Sequence, residues 1–281
     1  MTSPRWPPRR DGEKSIIGMV HLRPLPGGPL ASTPLPEVIV QAVRDARALE
    51  SGGVDAVLVQ NRGDRAFVAE HAPPDVIAAM GAIVHAVVHA IGLPVGVHVL
   101  RNDTAASIAI AHVAGAHFVR AAVLTGVSPS AQGWLRGTPH DLLRYRRTIG
   151  AERILLLADV ASMHNARSLH DVGDAASEAV FFGAADAVVV ADGNEDAAVA
   201  LQQAAAERVQ APILVGGYVT ADNLPRLLKH ADGAIVGEAF EHRAREAGVD
   251  EARVRDFMAR LRPTTGGEVM GHIVKNRQKV Q

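Results

Sequence analysis

The sequence predicts an α/β fold: a single (βα)8 TIM barrel that resembles the phosphate-binding barrels. Three observations predict it. Eight short apolar runs alternate with helical patterns along the chain. Each run is apolar on both faces and bounded by turn residues, which is how a parallel strand covered on both sides reads. A weak internal repeat leads into every second strand, and a period of two strand–helix units suits a closed eightfold ring.

The strands fall at 15–20, 56–59, 94–99, 117–120, 154–158, 187–191, 212–215 and 233–236. In the first helix Leu35, Val38, Ile39, Ala42, Val43, Ala46 and Leu49 share one face at helical spacing, and Val254, Phe257, Met258 and Leu261 repeat that spacing near the end. Asp103 or Thr104 can cap the third helix, and Asp222 the seventh. The repeat reads Gly53-Val54-Asp55-Ala56, Gly115-Ala116-His117-Phe118, Gly183-Ala184-Ala185-Asp186-Ala187 and Ala231-Asp232-Gly233-Ala234, while Pro94 and Pro212 open the third and seventh strands. An open doubly wound sheet is the alternative, but no Gly-x-Gly-x-x-Gly turn follows the first strand.

A chain of 281 residues suits one such barrel, placed here at residues 15–262. Apolar residues make up 48% and aromatics only 4%, so Ala, Val, Leu and Ile must fill the core. Residues 1–14 are rich in Pro and Arg, lack the apolar stretch of a signal peptide and are expected to be disordered. Arg9-Arg10 is followed by Asp11, Gly12, Glu13 and Lys14, unlike a twin-arginine signal. Residues 263–281 form a basic tail with Lys275, Arg277 and Lys279, read as solvated, with contact to an acidic partner as the other reading. The chain has no cysteine, which excludes disulfides, a thiolate nucleophile and a Cys-ligated metal and fits the cytoplasm. A formal net charge of −1 gives no overall footprint for nucleic acid, and no apolar run is long enough to span a membrane. Closed symmetric dimers dominate soluble oligomers, so a homodimer is expected.

In such barrels the active site lies at the carboxyl ends of the strands. The polar residues just past those ends are His21, Gln60, Asn61, Arg62, Asp64, Arg101, Asn102, Asp103, Arg120, Asp159, His164, Asp192, Asn194 and Glu238. His21 can serve as a general acid/base or metal ligand, or only bond a neighbouring loop. Asp103 can face a ligand or simply cap a helix. A buried arginine is costly unless paired, so Asp103 or Asp159 is the natural partner of Arg120; a structural ion pair and an anion-binding arginine both fit. Asp159 and His164 can divide base and acid roles. No metal spacing such as His-x-x-x-His or two Cys pairs is read in the chain, and neither metal nor cofactor is expected. Gly216-Gly217 and Gly237, past the last two strands, can offer backbone N–H groups to a phosphate, or merely make tight turns.

These motifs resemble the BtpA/SgcQ family. The runs that carry the likeness are Ile17-Gly18-Met19-Val20-His21-Leu22-Arg23-Pro24-Leu25-Pro26-Gly27, Gly53-Val54-Asp55-Ala56, Asn61-Arg62-Gly63-Asp64, Leu100-Arg101-Asn102-Asp103, Ala158-Asp159-Val160, and Val249-Asp250 with Arg253-Val254 and Phe257-Met258. The resemblance implies a TIM barrel and no established reaction. The founding member is named for photosystem I biogenesis as a membrane-peripheral assembly factor, and other members sit among carbohydrate-utilisation genes. It also implies site roles for His21, Asn61, Asp64, Arg101, Asn102, Asp103, Arg120, Asp159 and His164. The chain departs from the family pattern at several points: Gln60 stands for Glu, Ala122 for Asn, Ala131 for Asp, Met163 for Lys, and Glu238 for a small hydroxyl residue. Ala191-Asp192-Gly193-Asn194-Glu195 replaces Thr-Gly turns.

The reading is therefore a barrel that binds a small polar or phosphorylated ligand, sugar-phosphate or nucleoside-like, at its C-terminal face. If it is an enzyme, it is a lyase, isomerase or hydrolase. His21 and Asp159 would be its acid/base pair. Asn61, Asp64, Arg101, Asn102, Asp103, Arg120 and His164 would hold substrate, and Gly216, Gly217 and Gly237 a phosphate. Glu238 would repel that phosphate unless a loop arginine or Arg120 neutralised it. The competing class is a non-catalytic assembly or regulatory factor.

Overall fold

The computed structural model describes residues 14–163, 171–242 and 248–262. All eight expected strands form: β1 (Ser15–His21), β2 (Ala56–Gln60), β3 (Val95–His98), β4 (Phe118–Ala121), β7 (Leu155–Ala161), β8 (Ala187–Ala191), β9 (Ile213–Gly216) and β10 (Gly233–Val236). They pair in parallel and close in the order β1-β10-β9-β8-β7-β4-β3-β2. A hairpin that the apolar pattern does not announce, β5 (Val127–Ser130) with β6 (Gly133–Arg136), stands between β4 and the next helix. Its Trp134 is exposed, so the hairpin lacks the hydrophobic alternation that would betray it.

The helices α1 (Leu35–Gly52), α2 (Pro74–Ala90), α3 (Thr104–Ala114), α4 (Pro139–Thr148), α5 (Val172–Phe181), α6 (Glu195–Ala206), α7 (Leu224–Leu227) and α8 (Glu251–Leu261) alternate with the strands. Asp103 caps α3, accepting the Ala106 N–H. Asp222 does not cap the seventh helix. That helix shrinks to the single turn α7, begins after Asn223, and leaves Asp222 to pair with Arg260 at 2.5 Å.

Side chains of a strand alternate between two faces, so one parity of each barrel strand points to the axis. The inward set packs as its own cluster: Ile17, Met19, Ala56, Leu58, Phe118, Leu155, Leu157, Ala187, Val189, Leu214 and Ile235. The other parity joins the larger core under the helices, with Val57, Val97, Val119 and Leu156 fully buried there. Gly96 makes room for Phe118, since a Cβ at Gly96 would lie 2.2 Å from that ring. The next inward position beyond the apolar layer is polar on five strands: His21, Gln60, His98, Arg120 and Asp159.

The opposite end explains the internal repeat. Asp55 accepts the Ile16 N–H at 2.7 Å, Asp186 the Leu156 N–H at 2.8 Å, and Asp232 the Ile213 N–H at 2.9 Å. In the remaining copy His117 Nδ1 accepts the Val95 N–H at 3.3 Å. Each repeat thus places one acceptor ahead of its own strand that clasps the entry of a neighbouring strand. Burial raises the Asp186 carboxyl and lowers the His117 imidazole relative to their ordinary values.

Candidate functional site

The inward polar layer forms the floor of a pocket of about 170 Å³ at the carboxyl ends of the strands. His21, Gln60, His98, Arg120 and Asp159 come from the strands, and Arg62, Arg101, Ser162, Met163, Gly217, Tyr218, Gly237 and Glu238 from the loops.

His21 Nδ1 contacts the Glu241 carboxylate. A carboxylate can only accept, so Nδ1 carries the proton and Nε2 is the basic nitrogen of the ring. Glu241 is reached through the short turn Glu238–Phe240. Arg62 Nη2 donates to Glu238 at 2.5 Å, and its Nη1 lies 3.9 Å from Glu241. His21, Glu241, Arg62 and Glu238 therefore form one connected group, and the loop arginine neutralises Glu238. Glu241 escapes the sequence reading because it lies several residues past its strand; only the folded turn returns it to β1. Gly237 is required by contact: a Cβ there would sit 2.6 Å from His21 Cε1.

Arg120 and Asp159 form a two-pronged ion pair, Nε to Oδ1 at 2.7 Å and Nη2 to Oδ2 at 3.0 Å. Their strands are ring neighbours, which settles the partner of Arg120 in favour of Asp159 over Asp103. Burial lowers the Arg101 guanidinium from its ordinary value, against the opposing pull of Asp159.

His98 is a site residue that the sequence reading passes over. It lies inside the apolar run 94–99, but its parity matches Gly96 and the inward set. The Gln60 amide nitrogen bonds its Nδ1 at 2.9 Å, and the buried Nε2 has no partner among the described residues. Burial first, then the charges of Arg120 and Arg101, hold this imidazole well below its ordinary value.

Four of the expected ligand-holding residues sit behind the pocket and tie its loops together. Asn61 donates to Asp64 at 2.9 Å and accepts the Leu100 N–H at 2.8 Å. Asp64 accepts the Leu25 N–H at 2.7 Å, and burial raises its carboxyl. Asp103 accepts the N–H groups of Ala106 and Ala72, each at 2.9 Å. Asn102 bonds both the N–H and C=O of Val123, and the C=O of Arg136. Asn102 and Asp103 line a second hollow of about 310 Å³ with His71, Arg136 and Tyr145. Asn194 caps α6 and Asp192 accepts the Asn194 N–H, so both hold a turn.

Gly217 and Gly237 border the main pocket and Gly216 does not. Gly217 has φ +73° and packs so that a Cβ would meet Met163 sulfur at 2.8 Å. His164 lies outside the described residues. Of the positions that depart from the family pattern, Gln60, Met163 and Glu238 line the pocket, Ala122 is buried, and Ala131 is exposed in the hairpin turn. His85 and His89 do have His-x-x-x-His spacing, but on the exposed side of α2 and outside the pocket. Among the described residues no group of three or more His, Asp or Glu is placed to hold a metal ion.

A closed eight-stranded parallel barrel whose carboxyl end carries a polar pocket defines a TIM-barrel protein. The chain belongs to the BtpA family, whose model matches residues 12–262. It is 36% identical over 249 residues to the Photosystem I biogenesis protein BtpA of Synechocystis, covering 86% of each chain. It is 40% identical over 245 residues to an uncharacterised protein of Thermococcus kodakarensis, covering 85% of this chain and 93% of that one. Among solved structures it superposes on a thiamine phosphate pyrophosphorylase of Pyrococcus furiosus with TM-score 0.56 at 16% identity, covering 90% and 97% of the two chains. A phosphoribosyl anthranilate isomerase of Thermococcus kodakaraensis gives TM-score 0.53 at 13% identity, covering 89% and 99%. At such identities the superpositions speak for the fold alone. Among the described residues no helix is long and apolar enough to cross a membrane.

Proposed function

We propose that this chain binds a small phosphorylated metabolite, sugar-phosphate or nucleoside-like, at the barrel mouth, and that His21 moves a proton on it. The observation that carries this reading is the His21–Glu241 contact. A carboxylate fixes the tautomer and orientation of an imidazole whose other nitrogen is basic, which is the arrangement a general acid/base needs. The pocket has the volume for a small molecule and presents Arg62, Arg101 and Arg120 to an anion. Gly217 and Gly237 place backbone at the rim past β9 and β10, where barrels of this kind take phosphate. The two solved barrels named above carry phosphorylated compounds in their names, which agrees with this ligand class. In this scheme Asp159 is a positioning residue. Its carboxylate is committed to Arg120 and orients that guanidinium toward ligand, while His21 carries the acid/base role. The cysteine-free composition agrees with a cytoplasmic setting.

One observation favours a second reading. Arg120 with Asp159, and Arg62 with Glu238, already neutralise each other, as befits a barrel kept as a scaffold for assembly like its relative named for photosystem I biogenesis. A thermal-shift screen separates the two. A ligand at one hundred times its dissociation constant adds about 2.7 kcal/mol, several degrees in Tm for a domain of this size. Triose to pentose phosphates and nucleotides are the compounds to screen. Binding that survives His21→Asn while turnover is lost is the expected outcome. If none of these compounds shifts the wild-type transition, the metabolite reading is abandoned for the scaffold.

A further inference from the structure

The imidazole of His98 has no place in that scheme, yet it is fully buried, lines the pocket, and leaves Nε2 without a partner. The Gln60 amide nitrogen donates to Nδ1, and a neutral imidazole that accepts at Nδ1 carries its proton at Nε2. The charges that face the ring are Arg101 and Arg120, which can only donate. Among the described residues no acceptor meets this N–H, and a buried donor left unmet weakens the fold unless something else meets it.

We infer that His98 Nε2–H receives a carbonyl oxygen of the ligand, so that the substrate class is a small phosphorylated hydroxy-aldehyde or hydroxy-ketone. The inference rests on the metabolite reading and sharpens it. Topology sets the arrangement. In the ring order β3 stands four places from β9, directly across the barrel, so His98 faces the glycine rim from the opposite wall. A phosphate dianion calls for several donors or cations, which the rim and the mouth arginines offer. A single uncharged N–H at the floor suits a single oxygen that is neutral in the bound ligand and gains charge only as reaction proceeds. A neutral imidazole has this use in other barrels, where it polarises a carbonyl beside a separate base.

The chemistry closes without a co-reactant. His21 Nε2 removes the proton from the hydroxyl-bearing carbon beside the carbonyl. The C–H electron pair becomes a C=C bond, and the C=O π pair moves to oxygen, where His98 holds it. The proton on His21 then goes to the former carbonyl carbon. The two enediolate oxygens exchange one proton, so the neighbouring hydroxyl becomes the new carbonyl. The net change is an aldose–ketose isomerisation.

Two measurements test this. Nitrogen NMR of protein labelled at histidine should show an imidazole, besides that of His117, that stays in the neutral Nε2–H tautomer at about pH 5.5, a unit below the ordinary value, where exposed rings are charged. That signal should vanish in His98→Gln. An Nδ1–H tautomer, or a ring that charges with the rest, overturns the inference even if the variant fails to fold. Second, dihydroxyacetone phosphate and ribulose 5-phosphate are incubated with the protein in deuterated water and followed by proton NMR. Wild type should exchange the carbon-bound proton beside the carbonyl. His98→Gln, which keeps a displaced donor, should exchange at least about tenfold more slowly, with calorimetric affinity for the phosphate compounds changed less than the rate. Binding without exchange overturns the carbonyl assignment and leaves the metabolite reading standing. Binding of neither compound overturns both.

Discussion

Replacing Asp159 by Asn removes the partner of a guanidinium that has nowhere else to go. The Arg120 and Asp159 side chains are only 13% and 3% exposed, and the two hydrogen bonds measure 2.7 and 3.0 Å. With charge centres about 4 Å apart and an effective dielectric near 20, the lost attraction is about 4 kcal/mol. The like charge of Arg101 acts on the same guanidinium and is no longer opposed by Asp159. Asn keeps one acceptor and recovers part of this, so the net cost is expected at about 3 kcal/mol, within the range for breaking a buried pair. For a large single domain that is about 6–12 °C in Tm. Urea unfolding followed by circular dichroism gives the number directly. The control is the double variant Arg120→Met with Asp159→Leu, which removes both charges and should regain most of the loss. A single variant within about 1 kcal/mol of wild type, or a double variant as weak as the single, would refute the view that this pair is a desolvated, mutually dependent unit.

Three further outcomes follow from the same geometry. Glu238→Gln breaks a half-exposed pair with Arg62, so stability should move by less than about 1 kcal/mol. Arg62 already offsets that carboxylate, and the substitution frees the guanidinium for a phosphate, so sugar-phosphate affinity should rise several-fold in calorimetry at fixed salt; unchanged affinity would place both side chains out of the ligand's reach. Asp103→Ala strips an acceptor from both Ala106 and Ala72 and is expected to lower unfolding free energy by about 2–4 kcal/mol in chemical denaturation, with binding intact in the folded fraction. His98 makes stability depend on pH. Its native value lies below the ordinary 6.5, so the unfolded chain takes up the proton first as pH falls. The contribution is complete above 6.5 and is lost below it, by up to about 1.4 kcal/mol per pH unit. The carboxyls of Asp45, Asp64 and Asp186, raised above 3.8 by burial, act in the opposite sense at lower pH. Urea midpoints near pH 7 and 5 for wild type and His98→Gln isolate the histidine, and parallel slopes in the two proteins would rule its contribution out.

The barrel was legible because its cause is local. Both parities of a closed strand are buried, so the runs at 56–59 or 187–191 stand out as continuous apolar stretches bounded by turns, whatever their neighbours do. The hairpin Val127–Ser130 with Gly133–Arg136 was not legible, because it buries little beyond Leu135 and Ser128 and so imposes no alternation on the sequence. Asp222 misled for a different reason: it has the chemistry of a cap, but the helix after it is a single turn, and a distant arginine on α8 takes the carboxylate. At the site, His21, Arg120 and Asp159 were legible because each stands at or near the end of a strand. His98 also ends one, but an apolar run conceals a polar residue unless parity is followed along it. Glu241 could not be found by any count from a strand end, since its place depends on the path of a short turn.

Hydrogen-bond partners separate residues that chemistry alone ranks together. Asn61, Asp64, Asn102 and Asp103 are as polar as His21 and just as near the strand ends, yet their side chains are committed to the backbone of Leu25, Ala72, Leu100, Ala106 and Val123. Those bonds fix the loops after β2 and β3, and thereby the positions of Arg62 and Arg101 over the pocket. The specific runs Asn61-Arg62-Gly63-Asp64 and Leu100-Arg101-Asn102-Asp103 are thus mostly framework, with one arginine in each reaching the pocket. A substitution in the framework should move stability first and function only through displaced arginines. At His21 or His98 the emphasis shifts: Glu241 and Arg62 reach the His21 ring and Gln60 the His98 ring, both rings line the pocket, and their loss takes away its basic nitrogen or its uncharged ring donor.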